Sequence, residues 1–190
     1  MQEYLKIQGI YVFVETKELN WAQRLKIPEI SFPKGLFTFY LSHPAASRKS
    51  VRKWELDFEA KHPKIALVNP FYDVGGEGRK DVQERDEGKM FKKEPGYEWR
   101  LTQRDYIAIA FSRGIVGIVD ENIDKSIGTQ MEFVFARMLA KSPKLCICTK
   151  RELLNHPWLK TFFHKIYPSF SEFEKDVEYQ AKRVQKKWGF

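Results

Sequence analysis

The chain has 190 residues, 43% of them hydrophobic and 31% charged, with a formal net charge of +8. This length and composition fit one globular domain that buries about 70% of its unfolded surface, and exclude a disordered chain. No apolar stretch approaches the roughly 18 residues of a membrane helix, and the N-terminus has no apolar signal-peptide core. We therefore expect a cytoplasmic protein with no membrane partner.

In chain order, residues 1–34 are interpreted as an N-terminal extension, with a strand over 7–14 and Asn20 capping a short helix. Strands and helices then alternate over residues 35–190, which form the catalytic domain of our prediction. The predicted strands cover 36–41, 65–68, 115–119 and 145–148, and the predicted helices cover 47–62, 102–112, 128–141, a segment from about 151, and 171–188. This alternation predicts an α/β fold, a Rossmann-like (flavodoxin-like) parallel sheet flanked by helices.

Ligands of such folds bind beyond the carboxyl ends of the strands. In this sequence those ends are residues 41–43, 69–71, 120–126 and 149. Segment 71–97 is charged, contains glycines and lacks periodicity, which favours a lid or base-selecting loop over these ends, or else a mobile surface insertion.

The helix predicted over 128–141 carries two signals. Apolar residues at helical spacing predict its core-facing side; they are Met131, Val134, Phe135 and Met138. Thr129 and Glu132 also match a capping box, in which both side chains bond backbone N–H groups at a helix start. Thr102 and Asp105 have the same spacing. On spacing alone, a structural role for Glu132 is the simpler interpretation.

Cysteines and histidines give no sign of a metal site. Cys146 and Cys148 alternate along an apolar strand and are interpreted as buried structural thiols, typical of a reducing compartment. The four histidines, one of which is His43, have no metal-ligand spacing. We expect neither a metal nor a cofactor.

Four short motifs occur in a fixed order over residues 36–148. They are Phe39-Tyr40-Leu41-Ser42, Arg104-Asp105-Tyr106, Gly117-Ile118-Val119-Asp120 and Gly128-Thr129-Gln130-Met131-Glu132-Phe133. Together they resemble the nucleoside 2-deoxyribosyltransferase family, which includes the related 2'-deoxynucleoside 5'-monophosphate N-glycosidases.

The resemblance implies catalytic roles for three residues. Glu132 matches the family nucleophile, which attacks the anomeric carbon and forms a glycosyl-enzyme intermediate. Tyr40 matches the tyrosine that positions this nucleophile, and Asp105 would hold the sugar or protonate the departing base. The structural alternatives are a core aromatic for Tyr40 and a cap partner for Asp105.

The resemblance also points to a phosphate. A serine at the position of Ser126, six residues before the nucleophile, is typical of members that act on 5'-monophosphates, whereas an aspartate is typical of transferases acting on nucleosides. The turn after the first core strand adds hydroxyls, basic groups and helix N–H groups. The predicted substrate- or phosphate-binding residues are Ser126, Ser42, His43, Ser47, Arg48 and Gly128. The alternatives are an ordinary cap or loop hydroxyl for Ser126 and a solvated helix start for the turn. If the loop is shifted, Asp124 takes the place of the family aspartate.

The predicted function is cleavage of the N-glycosidic bond of a nucleoside 5'-monophosphate or nucleoside, by hydrolysis or by base exchange. The partner is then a small-molecule nucleoside or nucleotide, and the resemblance implies a homo-oligomer. The alternative is a non-catalytic nucleotide- or nucleic-acid-binding module on the same fold. Nucleic acid is not favoured, because the basic residues are dispersed among acidic ones.

Overall fold

The N-terminal strands form a sheet of their own. A computed structural model describes residues 3–7, 10–14, 36–72, 97–139 and 143–188. Strands β1 (Glu3–Ile7) and β2 (Ile10–Val14) pair antiparallel, with Ile7 opposite Ile10. The strand predicted over 7–14 is confirmed over 10–14, but Ile7 belongs to β1, which runs in the opposite direction. The predicted Asn20 helix lies outside the described residues.

The main sheet has five strands, all parallel. They are β3 (Phe37–Ser42), β4 (Ile65–Val68), β5 (Gly114–Val119), β6 (Lys144–Cys148) and β7 (Lys165–Tyr167). Their spatial order is β4-β3-β5-β6-β7. This is the order of flavodoxin-like folds, and the predicted Rossmann-like α/β class is confirmed.

Five α-helices flank this sheet in the described part of the chain. They are α1 (Arg48–Lys61), α2 (Tyr97–Phe111), α3 (Ile127–Met138), α4 (Pro157–Phe162) and α5 (Phe170–Trp188). Helix α2 begins at Tyr97, earlier than the predicted Thr102. The helix expected from about residue 151 is instead a 3-10 turn, the short α4 and the unpredicted strand β7. Most of the predicted lid segment, residues 73–96, lies outside the described residues.

Side chains of the central strands alternate between two cores, as the pleat of a strand requires. Phe39 and Leu41 of β3 face the core under α1 and α5. Tyr40 faces the opposite core, which α2, α3 and α4 cover. Consequently both faces of the sheet are buried, which explains why these strands are almost continuously apolar.

The order of the strands places a crevice between β3 and β5. The chain leaves β3 toward β4 on one side and returns to β5 on the other, so the connections diverge between these two neighbours. Ligands of doubly wound sheets bind at such a switch point, beyond the carboxyl ends of the strands. In this protein those ends are Ser42 and Val119.

Helix α3 faces the sheet with a different side from the predicted one. Its buried residues are Thr129, Glu132, Phe133 and Ala136. Met131, Val134 and Met138, which were predicted to face the core, are 49%, 38% and 69% exposed. The prediction of this core face was wrong for these three residues, whose stripe lies on the outer side of the helix. It is confirmed for Phe135, which is half-buried and packs against the core.

Both cysteines are buried in the sheet. Cys146 and Cys148 are free thiols, and burial raises the pKa of both, which agrees with a structural role. No helix in the described ranges combines the length and apolar character needed to cross a membrane.

Candidate active site

The carboxylate of Glu132 is held at the carboxyl end of β3. The Tyr40 hydroxyl donates a 2.7 Å hydrogen bond to Oε1, and the Ser42 hydroxyl donates to Oε2. Tyr40 and Ser42 are two positions apart on one strand, so they point to the same face, toward α3. Both are fully buried, and Glu132 is 9% exposed. Three sequence-predicted residues from two distant segments therefore meet at one carboxylate.

The start of α3 decides against the capping interpretation of Glu132. The helix begins at Ile127, with Ser126 as its N-cap, so Thr129 and Glu132 lie inside it. A capping box requires the threonine at the N-cap itself. The carboxylate accepts hydrogen bonds from two side-chain hydroxyls of β3. The equivalent interpretation of Thr102 and Asp105 is wrong for the same reason, because α2 starts at Tyr97.

Ser126 and Gly128 lie together at the N-terminus of α3. The Ser126 Oγ is 2.8 Å from the Oγ1 of Thr129, and either hydroxyl can be the donor. Gly128 is exposed, and a Cβ built on it meets no atom within 4 Å. Packing of the described protein therefore gives no reason for a glycine here, and a ligand can approach this helix end closely.

Ser47 joins the turn after β3 to the loop after β5. Its hydroxyl donates to Oδ2 of Asp120 and accepts a 3.0 Å hydrogen bond from Nδ2 of Asn122. The backbone N–H of Asn122 closes the group by donating to Oδ1 of Asp120 at 2.9 Å. Because the Ser47 proton already points to a carboxylate, its main role in this structure is to fix the two loops at the crevice.

His43 and Arg48 both bond to backbone carbonyls of the turn that follows β3. The His43 ring is 2% exposed, with Nδ1 3.1 Å from the Pro44 carbonyl oxygen and Nε2 3.3 Å from Oδ1 of Asn69. Burial lowers the pKa of His43. The Arg48 guanidinium donates a 2.7 Å bond to the Ala45 carbonyl and is half-buried. Of these two predicted phosphate ligands, Arg48 is the more accessible.

Asp105 lies half-buried on α2, the helix that packs beside α3. The next residue, Tyr106, stacks its ring on Phe135 of α3, with ring centroids 4.3 Å apart. Phe135 is less than one turn from Glu132. The stacked pair therefore fixes the helix of Asp105 alongside the helix of Glu132.

Two buried polar residues near the site, Glu55 and Asn69, had no role in the sequence-based prediction, although Asn69 lies at one of the predicted strand ends. Both are 0% exposed, and Asn69 Nδ2 donates a 2.7 Å hydrogen bond to Oε2 of Glu55. Each had a signal in the sequence. Asn69 directly follows β4, and Glu55 falls between Val51 and Phe58 on the buried stripe of α1.

A carboxylate held by two hydroxyl donors at a strand end can attack an electrophilic carbon or stabilise a neighbouring positive charge. The described ranges contain no group of three or more His, Cys, Asp or Glu side chains arranged to hold a metal ion. Comparison with protein-family models and with curated proteins finds no match for this chain.

Proposed function

We propose that this protein cleaves the N-glycosidic bond of a nucleoside 5'-monophosphate, or of a nucleoside, with Glu132 as the nucleophile. The observation that carries the proposal is the pair of hydrogen bonds from Tyr40 and Ser42 to the two oxygens of Glu132. This carboxylate lies beside the crevice between β3 and β5, where doubly wound folds bind ligands. The substrate class is inferred from the four motifs, whose order resembles that of the nucleoside 2-deoxyribosyltransferase family.

In the proposed reaction one Glu132 oxygen attacks the anomeric carbon as the bond from that carbon to the base nitrogen breaks. The base leaves with the bonding electron pair and takes up a proton, and a glycosyl ester forms on Glu132. Water then attacks the anomeric carbon and loses a proton, while the bond from that carbon to the Glu132 oxygen breaks. The sugar is released, and Glu132 keeps the bonding electron pair and returns to a carboxylate. If a second base attacks in place of water, the outcome is base exchange.

Tyr40 and Ser42 position the nucleophile in this scheme, because each fixes one carboxylate oxygen. Asp105, on the helix that packs against α3, is proposed to hold the sugar or to protonate the departing base. If Asp105 protonates the base, the two carboxyl groups serve as nucleophile and acid, the pairing of roles found in retaining glycosidases.

The N-terminus of α3 is the proposed phosphate position. Ser126 supplies a hydroxyl, the helix supplies N–H groups, and the open space beside Gly128 allows close approach. The Arg48 guanidinium supplies a positive charge. Ser42, His43 and Ser47 contribute indirectly, by fixing the surrounding turn.

The test is chromatography of nucleosides and 5'-monophosphates after incubation with the protein, with and without an acceptor base. Free base without acceptor identifies a hydrolase, and product that requires the acceptor identifies a transferase. The Glu132→Gln variant should lose activity by about a thousandfold or more. Product formation at the wild-type rate by this variant, with folding intact, contradicts the proposal. Binding to long DNA but not to mononucleotides favours a nucleic-acid module instead.

Substitution at Ser126 tests the preference for a phosphate. In Ser126→Asp, a carboxylate would face the phosphate dianion and repel it, lowering kcat/KM for 5'-monophosphates by about a hundredfold. The same variant should retain activity on the matching nucleoside. An equal loss on both substrates would mean that Ser126 does not lie near the 5' position.

We also propose that the protein forms a homo-oligomer through the outward face of α3. Four exposed apolar residues, spaced by four, three and four positions, form one stripe along this helix; they are Ile127, Met131, Val134 and Met138. Monomeric proteins rarely leave such a contiguous apolar stripe in water. A second copy can cover it with the same stripe, as a twofold interface requires.

A further inference from the structure

A chain of buried polar contacts lies behind the proposed site and joins three elements. Its members are Glu55 on α1, Asn69 after β4 and His43 in the turn after β3, which are 0%, 0% and 2% exposed. Asn69 Nδ2 donates to Glu55 Oε2 at 2.7 Å, and Asn69 Oδ1 lies 3.3 Å from His43 Nε2. Buried polar groups are costly unless they are paired, so each contact depends on the others.

The orientation of the Asn69 amide follows from its other neighbours. The backbone N–H of Phe71 donates a 3.0 Å hydrogen bond to Oδ1, which identifies that atom as the oxygen. A reversed amide would turn its oxygen toward the Glu55 carboxylate, which Arg52 holds through a 2.8 Å ion pair at Oε1. Asn69 therefore presents an acceptor to His43 and a donor to Glu55.

The His43 ring is held on both of its edges. Asn69 lies beside Nε2, the Pro44 carbonyl lies beside Nδ1 at 3.1 Å, and the Phe71 ring lies 4.9 Å away between centroids. His43 follows Ser42 directly in the chain. A shift of the ring is therefore transmitted through one peptide bond to Ser42, whose hydroxyl donates to Glu132.

We propose that Asn69 is a positioning residue, which acts through His43 to hold Ser42 in the orientation that places its hydroxyl on Glu132. This inference rests on the proposed function of Glu132. Asn69 has no direct part in the chemistry, so its loss should misalign the nucleophile and lower kcat while leaving KM almost unchanged.

A double-mutant cycle tests the pathway. Asn69→Ala should lower kcat about tenfold with KM changed less than about threefold, and Ser42→Ala should do the same. If Asn69 acts through Ser42, adding Asn69→Ala to Ser42→Ala changes kcat by less than about twofold. A full multiplicative loss in the double variant, or wild-type kcat in Asn69→Ala, overturns the proposal. If Asn69→Ala does not fold, Asn69→Ser is used with the same criteria.

Ser112→Ala is the matched control. Ser112 is also fully buried, and its hydroxyl donates a 2.8 Å hydrogen bond to the Ala108 carbonyl. It precedes β5, so it lies at the amino-terminal end of the strands, away from the carboxyl ends that border the proposed site. It should lower the melting temperature without changing kcat. If kcat falls as much as in Asn69→Ala, the effect of Asn69 is general loss of stability and the proposal is overturned.

A readout without substrate separates this proposal from the proposed function. The carboxyl ¹³C chemical shift of Glu132 should move in Asn69→Ala in the same direction as in Ser42→Ala, because both variants disturb the Ser42 hydrogen bond. An unchanged shift in folded Asn69→Ala overturns the positioning role. A wild-type protein that releases no base from any substrate, while the ¹³C shift moves as stated, refutes the proposed function alone.

Discussion

The hydroxyl of Tyr40 and the carboxylate of Glu132 are 92 residues apart in sequence and 2.7 Å apart in space. The parallel sheet produces this meeting, because it ends β3 beside the crevice that α3 borders. Neither residue is unusual by itself. Their contact at a strand end distinguishes a candidate nucleophile from an ordinary helix glutamate.

Tyr40→Phe tests this contact with a minimal change. The ring stays in its core, but one donor to the carboxylate is lost. A hydrogen bond to a charged group contributes about 1.5–3 kcal/mol, so kcat should fall about tenfold to a hundredfold. Tyr167→Phe is the matched control. It also removes a hydroxyl that donates a hydrogen bond to a carboxylate, 2.6 Å long and to Asp176, but at the edge strand β7. Equal kcat losses in both variants would contradict a specific role for Tyr40.

Gly128→Ala should separate stability from ligand binding. A Cβ at this position meets no protein atom within 4 Å, and alanine is the better helix former, so the free energy of unfolding should stay unchanged or rise by up to about 1 kcal/mol. The methyl group obstructs a phosphate at the helix N-terminus, so KM for the monophosphate should rise about tenfold.

Gly117→Ala provides the contrast to Gly128→Ala. A Cβ on Gly117 would lie 2.6 Å from the Phe163 ring and 2.7 Å from the Phe133 ring, so this variant should lose about 1–3 kcal/mol of stability. If the KM of Gly128→Ala for the monophosphate is unchanged, the N-terminus of α3 is not part of the phosphate-binding site.

Acidification should destabilise the protein partly through His43. Burial is the largest influence on His43 and brings its pKa in the folded state below the ordinary value of 6.5. The hydrogen bonds to the Pro44 carbonyl and to Asn69, and then the charge of Asp120, raise this pKa in part, whereas Arg48 lowers it slightly. The unfolded chain therefore binds the proton more readily. Stability from the neutral ring is fully present above pH 6.5 and is lost as the pH falls through the folded-state pKa.

Urea denaturation of wild type and His43→Gln from pH 8 down to pH 5 measures this effect. The wild-type free energy of unfolding should fall more steeply over that range, because glutamine does not titrate. If the two pH profiles are parallel, the folded and unfolded chains bind the His43 proton equally well, which contradicts this prediction.

The outward face of α3 should determine the oligomeric state. Met138→Glu introduces a charge into the proposed interface at a position that is 69% exposed, so the chain should still fold but elute as a smaller species. Light scattering after gel filtration measures the mass. Trp158→Glu, at a 64% exposed residue on α4, is the control and should leave the mass unchanged. A wild type that is monomeric at all concentrations contradicts the proposed oligomer.

The layered architecture was predictable because strand and helix periods are local properties of the sequence. Strands β3 to β6 and their parallel arrangement follow from short apolar runs that alternate with amphipathic segments. Strand β7 was missed, since Lys165–Tyr167 is three residues long and only Tyr167 is fully buried. A run so short has no period of its own, and β6 determines its pairing.

The orientation of α3 was not predictable from its pattern. Met131, Val134 and Met138 recur at helical spacing, yet these residues are exposed and Glu132 is buried. Periodicity identifies an apolar face but not the surface that covers it. The hydroxyls of Tyr40 and Ser42 make burial of Glu132 possible, and no local pattern contains that contact.

A covalent intermediate on Glu132 is the most direct test of the proposed chemistry. The protein is mixed with an active nucleoside 5'-monophosphate, quenched in acid within milliseconds to seconds, digested and analysed by mass spectrometry. The peptide that contains Glu132 should gain the mass of the sugar phosphate, and Glu132→Gln should yield neither the adduct nor free base. Release of base by Glu132→Gln at the wild-type rate, or an adduct on another residue, would contradict Glu132 as the nucleophile.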